Sequence, residues 1–167
     1  MIMIDYSKQH CGVHQATITE LLELMPDMQH ITATFPEDLN DFVFDVKVHM
    51  LMPGQYPCIP NWHYDNVPRV NNEQDFALVR PDLPMYLWVS GAPLTEFRKN
   101  GELWKVEPMK WIRFTQEDEH RGGQSLTFCW RLFCRATHKD IMPQRKRGHN
   151  PLRRHSQVYL DSTNFSW

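Results

Sequence analysis

The chain has 167 residues, 41% hydrophobic, 23% charged and 12% aromatic, a composition that favours one globular domain with a sizeable core and excludes a disordered chain. A formal net charge of -2 gives no global case for nucleic acid or an anionic membrane. No run of about eighteen apolar residues occurs, and Met1-Ile-Met-Ile-Asp-Tyr-Ser-Lys8 lacks the basic and apolar regions of a signal peptide, so a cytoplasmic protein without a membrane partner is expected.

Residues 1 to 14 read as irregular; His10, Cys11 and His14 lie close together there without a completing ligand. Cys11, Cys58, Cys129 and Cys134 are scattered, with no CxxC pair, and read as reduced, mostly buried thiols. Thr17-Ile-Thr-Glu20 is a capping box, and Ile18, Leu21, Leu22 and Met25 follow at helical spacing until Pro26. This predicts a short amphipathic helix covering the outside of a sheet.

Beyond it the period becomes two. Ile31 to Phe35 reads as a short strand. In Phe42 to Leu51 the residues Phe42, Phe44, Val46, Val48 and Met50 share one face, with Asp45, Lys47 and His49 on the other, the pattern of a half-buried strand. Pro53-Gly54 marks a turn, and prolines 57, 60 and 68 confine the next stretch to an edge strand or rim loop. Residues 70 to 84 read as a loop over one mouth of the fold. Met85 to Ser90 is another strand, with short extended pieces at Thr95 to Phe97, Glu102 to Val106 and Trp111 to Phe114. In Leu126 to Thr137, the longest strand candidate, Phe128, Trp130, Leu132, Cys134 and Ala136 are apolar on one face, and Arg131, Arg135 and Thr137 lie on the other.

Short strands with regular turn signals, after one early helix, predict a mostly β fold of the double-stranded β-helix type, a jelly roll or cupin-like architecture. The core is expected over about residues 30–140. Gln144 to His155 carries five Lys/Arg and two His without an acid. Its Arg145, Lys146, Arg147, Arg153 and Arg154 suit weak contact with nucleic-acid phosphates, though a solvated tail is the commoner meaning. Ser156 to Leu160 reads as a last strand.

The chemistry concentrates in Trp62-His-Tyr-Asp-Asn66. Residues i and i+2 of an extended strand share a face, so His63 and Asp65 can reach one cation, and His120 offers a third ligand downstream. Two histidines and a carboxylate with open positions form the facial arrangement of non-haem Fe(II) oxygenases.

At His63-Tyr-Asp65, His120 and a basic residue on the following strand, the chain resembles the Fe(II)/2-oxoglutarate-dependent dioxygenase superfamily. It is similar, more distantly, to small bacteriophage-encoded proteins of that kind, for which the host cytoplasm would be the location. The resemblance implies a double-stranded β-helix, Fe(II) held by His63, Asp65 and His120, and 2-oxoglutarate and O2 as co-substrates. It also implies that Arg131, eleven positions after His120, binds the distal carboxylate of 2-oxoglutarate. Position 133 is Phe where the family often has Ser or Thr; Arg135 with Thr137 fits that detail and lies farther on. Asn66 is a candidate to hydrogen-bond to the ligand residues, and Tyr64 is expected to face away from the metal. The primary substrate, whether small molecule, protein or nucleic acid, is open. Two further readings use the same scaffold: a cupin-like metal-binding protein that ignores 2-oxoglutarate, and a non-catalytic phage-encoded binding module.

Overall fold

The computed structural model describes Asp5 and residues 12–142, 152–153 and 157–160. Its elements are β1 (Gly12–Ala16), α1 (Ile18–Leu24), α2 (Gln29–Thr32), β2 (Phe42–Leu51), β3 (Arg69–Val70), β4 (Glu73–Gln74), β5 (Met85–Val89), β6 (Thr95–Lys99), β7 (Glu102–Lys105), β8 (Ile112–Phe114), β9 (Glu119–Gly122), β10 (Cys129–His138) and β11 (Leu152–Arg153). No helix among the described residues is long and apolar enough to cross a membrane.

The main sheet runs β11-β1-β2-β10-β5-β8, and a small sheet runs β7-β6-β9. The bridge between His63 and His120 adds the His63 segment to the small sheet beside β9. Counting β2, the His63 segment and β5 to β10 in chain order, the main sheet holds the first, eighth, third and sixth segments, and the small sheet the fifth, fourth, seventh and second. That interleaving of two antiparallel layers is the jelly roll, or double-stranded β-helix, that the alternating strands predict.

The spine is the β2/β10 pair, in unbroken antiparallel register from Cys129 opposite Leu51 to His138 opposite Phe42. One face of the main sheet, with Phe44, Val46, Trp88, Leu132 and Cys134, is covered by Leu21, Met25, Met28 and Ile31 from the helical segment. Fully burying one such side chain stabilises by roughly 1.5–3 kcal/mol. The helix starts as its sequence predicts: Thr17 Oγ1 accepts from Glu20 N–H at 3.3 Å, and Thr17 N–H donates to Glu20 Oε2 at 2.7 Å.

Three expectations need correction. Ile31 to Phe35 is not a strand: α2 and a turn occupy it, with Thr32 Oγ1 donating to the Met28 carbonyl at 3.0 Å. Ile31 and Phe35 are spaced by four, which a helical turn satisfies as well as an extended chain, and so short a run cannot distinguish them. Residues 12–14 are not irregular but begin β1, whose register shifts between Val13 and Ala16, with Gln15 at φ 54°. That bulge erases the alternation by which a strand is recognised. β2 is also not half-buried: Asp45 and His49 on its polar face are each 1% exposed, as is Arg131 on β10. This polar face looks into the space between the sheets.

Residues 70–84 hold the end of a hairpin, β3 to β4, turned by Asn71 and Asn72 at φ 51° and 68°, then a short turn at Phe76–Leu78. Asn tolerates this left-handed conformation, and such turns suit tight hairpins. Of the basic C-terminal run, Leu152–Arg153 pairs with β1, while Arg145, Lys146, Arg147 and Arg154 lie outside the described residues. In the expected last strand Tyr159 bridges Tyr56. Among the described cysteines, Cys58, Cys129 and Cys134 are free thiols.

Candidate metal centre

His63 and His120 face each other across the small sheet, each N–H donating to the other's carbonyl at 2.9 Å. Residues paired directly across antiparallel strands project their side chains to one face, and the two rings lie 4.5 Å apart, centroid to centroid. Asp65, two residues on, projects to that face as well. Asn66 then turns the chain away at φ 56°. One ligand atom from each of His63, Asp65 and His120 lies within 4.8 Å of the others, the grouping the sequence predicts.

The imidazole tautomers follow from the backbone. His63 Nδ1 lies 2.8 Å from the Asn61 carbonyl and His120 Nδ1 3.1 Å from the Asp118 carbonyl. A carbonyl only accepts, so each Nδ1 carries a hydrogen and each ring turns its Nε2 inward, the nitrogen that a metal-binding histidine held in this way would offer. His120 Nε2 then meets Asp65 Oδ2 at 3.3 Å. At that distance the nitrogen and the carboxylate oxygen share either a proton or a cation. Phe97 and Phe114, with centroids 5.1 and 5.7 Å from the His120 ring, hold its plane. Burial, reinforced by the neighbouring His120, keeps the His63 pKa below its ordinary value, which favours the neutral ligand form.

The carboxylate is supported from the main sheet. Arg135 Nη1 donates to Asp65 Oδ2, and Arg135 Nη2 donates to Asp45 Oδ2 at 2.6 Å. Asp45 Oδ1 also accepts from the Gln15 N–H at 2.9 Å and lies 2.6 Å from His14 Nδ1. Burial alone would raise the Asp65 pKa, but the Arg135 charge, then His120 and His63, hold it well below the carboxylate range. For Asp45 burial likewise opposes and Arg135 and His14 prevail.

The triad opens on a cavity of about 130 Å³ whose walls include Lys47, Phe133 and Arg135. Arg131 stands behind that wall: it is 1% exposed, and its Nη2 donates to the lining Thr95 Oγ1 at 2.6 Å. Thr137 is fully buried opposite Val43 and Met85, clear of the cavity lining. Asn66 does not bond to the triad as expected; its Nδ2 donates to Met85 Sδ at 3.3 Å and its carbonyl accepts from Gln116 Nε2 at 2.6 Å. Left-handed backbone at Asn66 carries its side chain off the strand face, so it secures the turn instead. Tyr64 faces away, against Phe76. Trp62 does not shape the cavity; the Arg98 and Arg121 guanidiniums lie 4.6 and 4.5 Å from its ring centroid.

Sequence reasoning missed Asp45, Lys47 and His14. For the first two a signal existed, their shared face of β2, which is the site-facing side.

Fold and donor set together define a jelly-roll protein with a candidate two-histidine, one-carboxylate centre. No protein-family model matches the chain. No curated protein matches it either. Among solved structures it is similar to the cupin_2 domain of an XRE family transcriptional regulator from Enterobacter cloacae, at 15% identity and a TM-score of 0.34, over 62% of this chain and 90% of that one.

Proposed function

We propose that this protein is a mononuclear non-haem metal protein whose His63, Asp65 and His120 hold Fe(II) for oxygenase chemistry with a 2-oxo acid co-substrate. The observation that carries the reading is the convergence of His63, Asp65 and His120 beside a cavity, with His120 Nε2 facing Asp65 Oδ2 at 3.3 Å. Two neutral imidazoles and one carboxylate suit a divalent ion and leave further positions open. When bound, such an ion supplies O2 activation coupled to oxidation of the keto acid.

The chain's own residues bind and orient. Backbone carbonyls of Asn61 and Asp118 fix the imidazole tautomers. Phe97, Phe114 and Phe133 line the cavity and restrict water. For a keto acid the cavity offers Lys47. Its ammonium lies 5.8 Å from the Phe133 ring centroid and has no carboxylate within ion-pairing distance among the described residues. Burial and the nearby Arg135 lower its pKa, and a carboxylate bound beside it would favour the charged ammonium. Arg131, the arginine the family resemblance favours, is not among the cavity-lining residues; its Nη2 donates to the lining Thr95 Oγ1.

A second reading is favoured by one observation: the Arg135 guanidinium is already engaged by two carboxylates, Asp65 and Asp45. It is therefore not an open anion clamp, and a cupin-like metal protein that ignores 2-oxo acids fits that arrangement. Anaerobic titration with Fe(II) and 2-oxoglutarate separates the two. A visible iron-to-keto-acid charge-transfer band is expected in wild type, absent in His63→Ala, and shifted to higher 2-oxoglutarate concentration in Lys47→Met. Tight metal binding without the band sinks the keto-acid reading and leaves the cupin-like one.

A further inference from the structure

We infer that Asp45 and Arg135 are positioning residues for the metal centre: Asp45, which touches none of the triad, holds Arg135 so that Arg135 holds the Asp65 carboxylate at the angle metal binding requires. The inference rests on the proposed metal centre and concerns what prepares it.

Three features of the geometry point this way. Asp65 sits just before the turn at Asn66, beyond the His63 and His120 bridge and the Gly122 N–H to Ile59 carbonyl bond that join its segment to the small sheet, so the backbone ladder of that sheet stops short of it. Arg135 lies on β10 opposite Asp45 on β2, inside the longest run of paired residues in the fold. Asp45 is in turn held by the Gln15 N–H, by His14 and by Arg135. The guanidinium thus ties the main sheet across the cavity to a ligand borne just beyond the end of the small sheet's ladder. Its planar fork gives each carboxylate a separate nitrogen, Nη1 to Asp65 and Nη2 to Asp45. A lysine has one nitrogen and no fixed plane, and cannot reproduce that geometry.

Charge alone makes a different prediction, which allows a decisive test. Arg135 and Asp45 neutralise one another. If they acted on a divalent ion only through their charges, Asp45→Asn would leave an extra cation and weaken metal binding, Arg135→Met would leave an extra anion and strengthen it, and Arg135→Lys would change nothing. Positioning predicts that all three weaken it, by about 10–100-fold, the usual cost of losing an outer partner of a metal ligand.

The experiment is a titration of the full chain with Co(II), followed by its visible ligand-field bands, and with Mn(II), followed by EPR, without any co-substrate. Circular dichroism and Tm of each metal-free variant accompany it. Weakened binding in Asp45→Asn and Arg135→Lys, both folded, is the expected result, with Arg135→Met weaker still if it folds. Tighter binding in Arg135→Met, or unchanged affinity in Arg135→Lys and Asp45→Asn whatever their Tm, overturns the positioning role alone. A folded wild type that takes up neither ion overturns the metal-centre reading beneath it.

Discussion

The two faces of the main sheet are built from the same strands and do opposite things. On the helix side, Phe44, Val46, Trp88, Leu132 and Cys134 form a dry core. On the other side, Asp45, Lys47, His49, Arg131 and Arg135 alternate with them along β2 and β10; Asp45, His49 and Arg131 are buried, and Lys47 and Arg135 are partly so. A strand with one polar face normally presents it to water. Here a second sheet covers it, so Lys47 and Arg135 of the polar face line the cavity and the others stand behind its wall. Stability and chemistry are thereby separated by a single step along the chain.

That separation can be broken by experiment. Trp88→Ala, on the helix side, is expected to destabilise by about 3–5 kcal/mol, read by denaturant unfolding, while the folded fraction keeps its metal affinity. A change in affinity would show that the faces are coupled. Asp65→Ala, on the cavity side, is expected to weaken metal binding by more than the roughly 100-fold upper cost of an outer-partner loss, read by Co(II) titration.

His49 sharpens the comparison through pH. Burial, with Arg131 and Lys47 nearby, pushes its pKa down to about 3. The unfolded chain protonates it below its ordinary value of about 6.5, so between those limits the unfolded state binds the extra proton. Stability should therefore rise with pH across that window, with His49 contributing up to about 1.4 kcal/mol per pH unit. His49→Leu should remove that part of the slope, and an unaltered slope would show His49 to be solvated. The smallest effect belongs to the edge of the helix side: Thr17→Ala should cost about 1 kcal/mol of stability and leave metal binding alone.

The jelly roll and the triad were legible because both rest on local pattern. Period-two alternation marks β2 and β10, and a His and an Asp two apart on a strand necessarily share a face. What supports the triad was not legible, because Arg135, Asp45 and His14 meet only through the pairing of β10, β2 and β1. His14 sits in the bulged β1, where alternation fails. Asp45 and Lys47 stand in a clear pattern, but a polar face gives no sign of whether water or a second sheet will cover it. Lys47 resembles any exposed strand lysine until the cavity is seen.

The reciprocal bonds between His63 and His120 carry a consequence for hydrogen exchange. Each residue's N–H donates to the other's carbonyl, so one opening event exposes both amides, and their protection factors should coincide although the residues are far apart in sequence. An ion gripping both side chains would close that same door from the inside. Both amides should then slow together on metal addition, a paired signature that the rest of the small sheet has no reason to share.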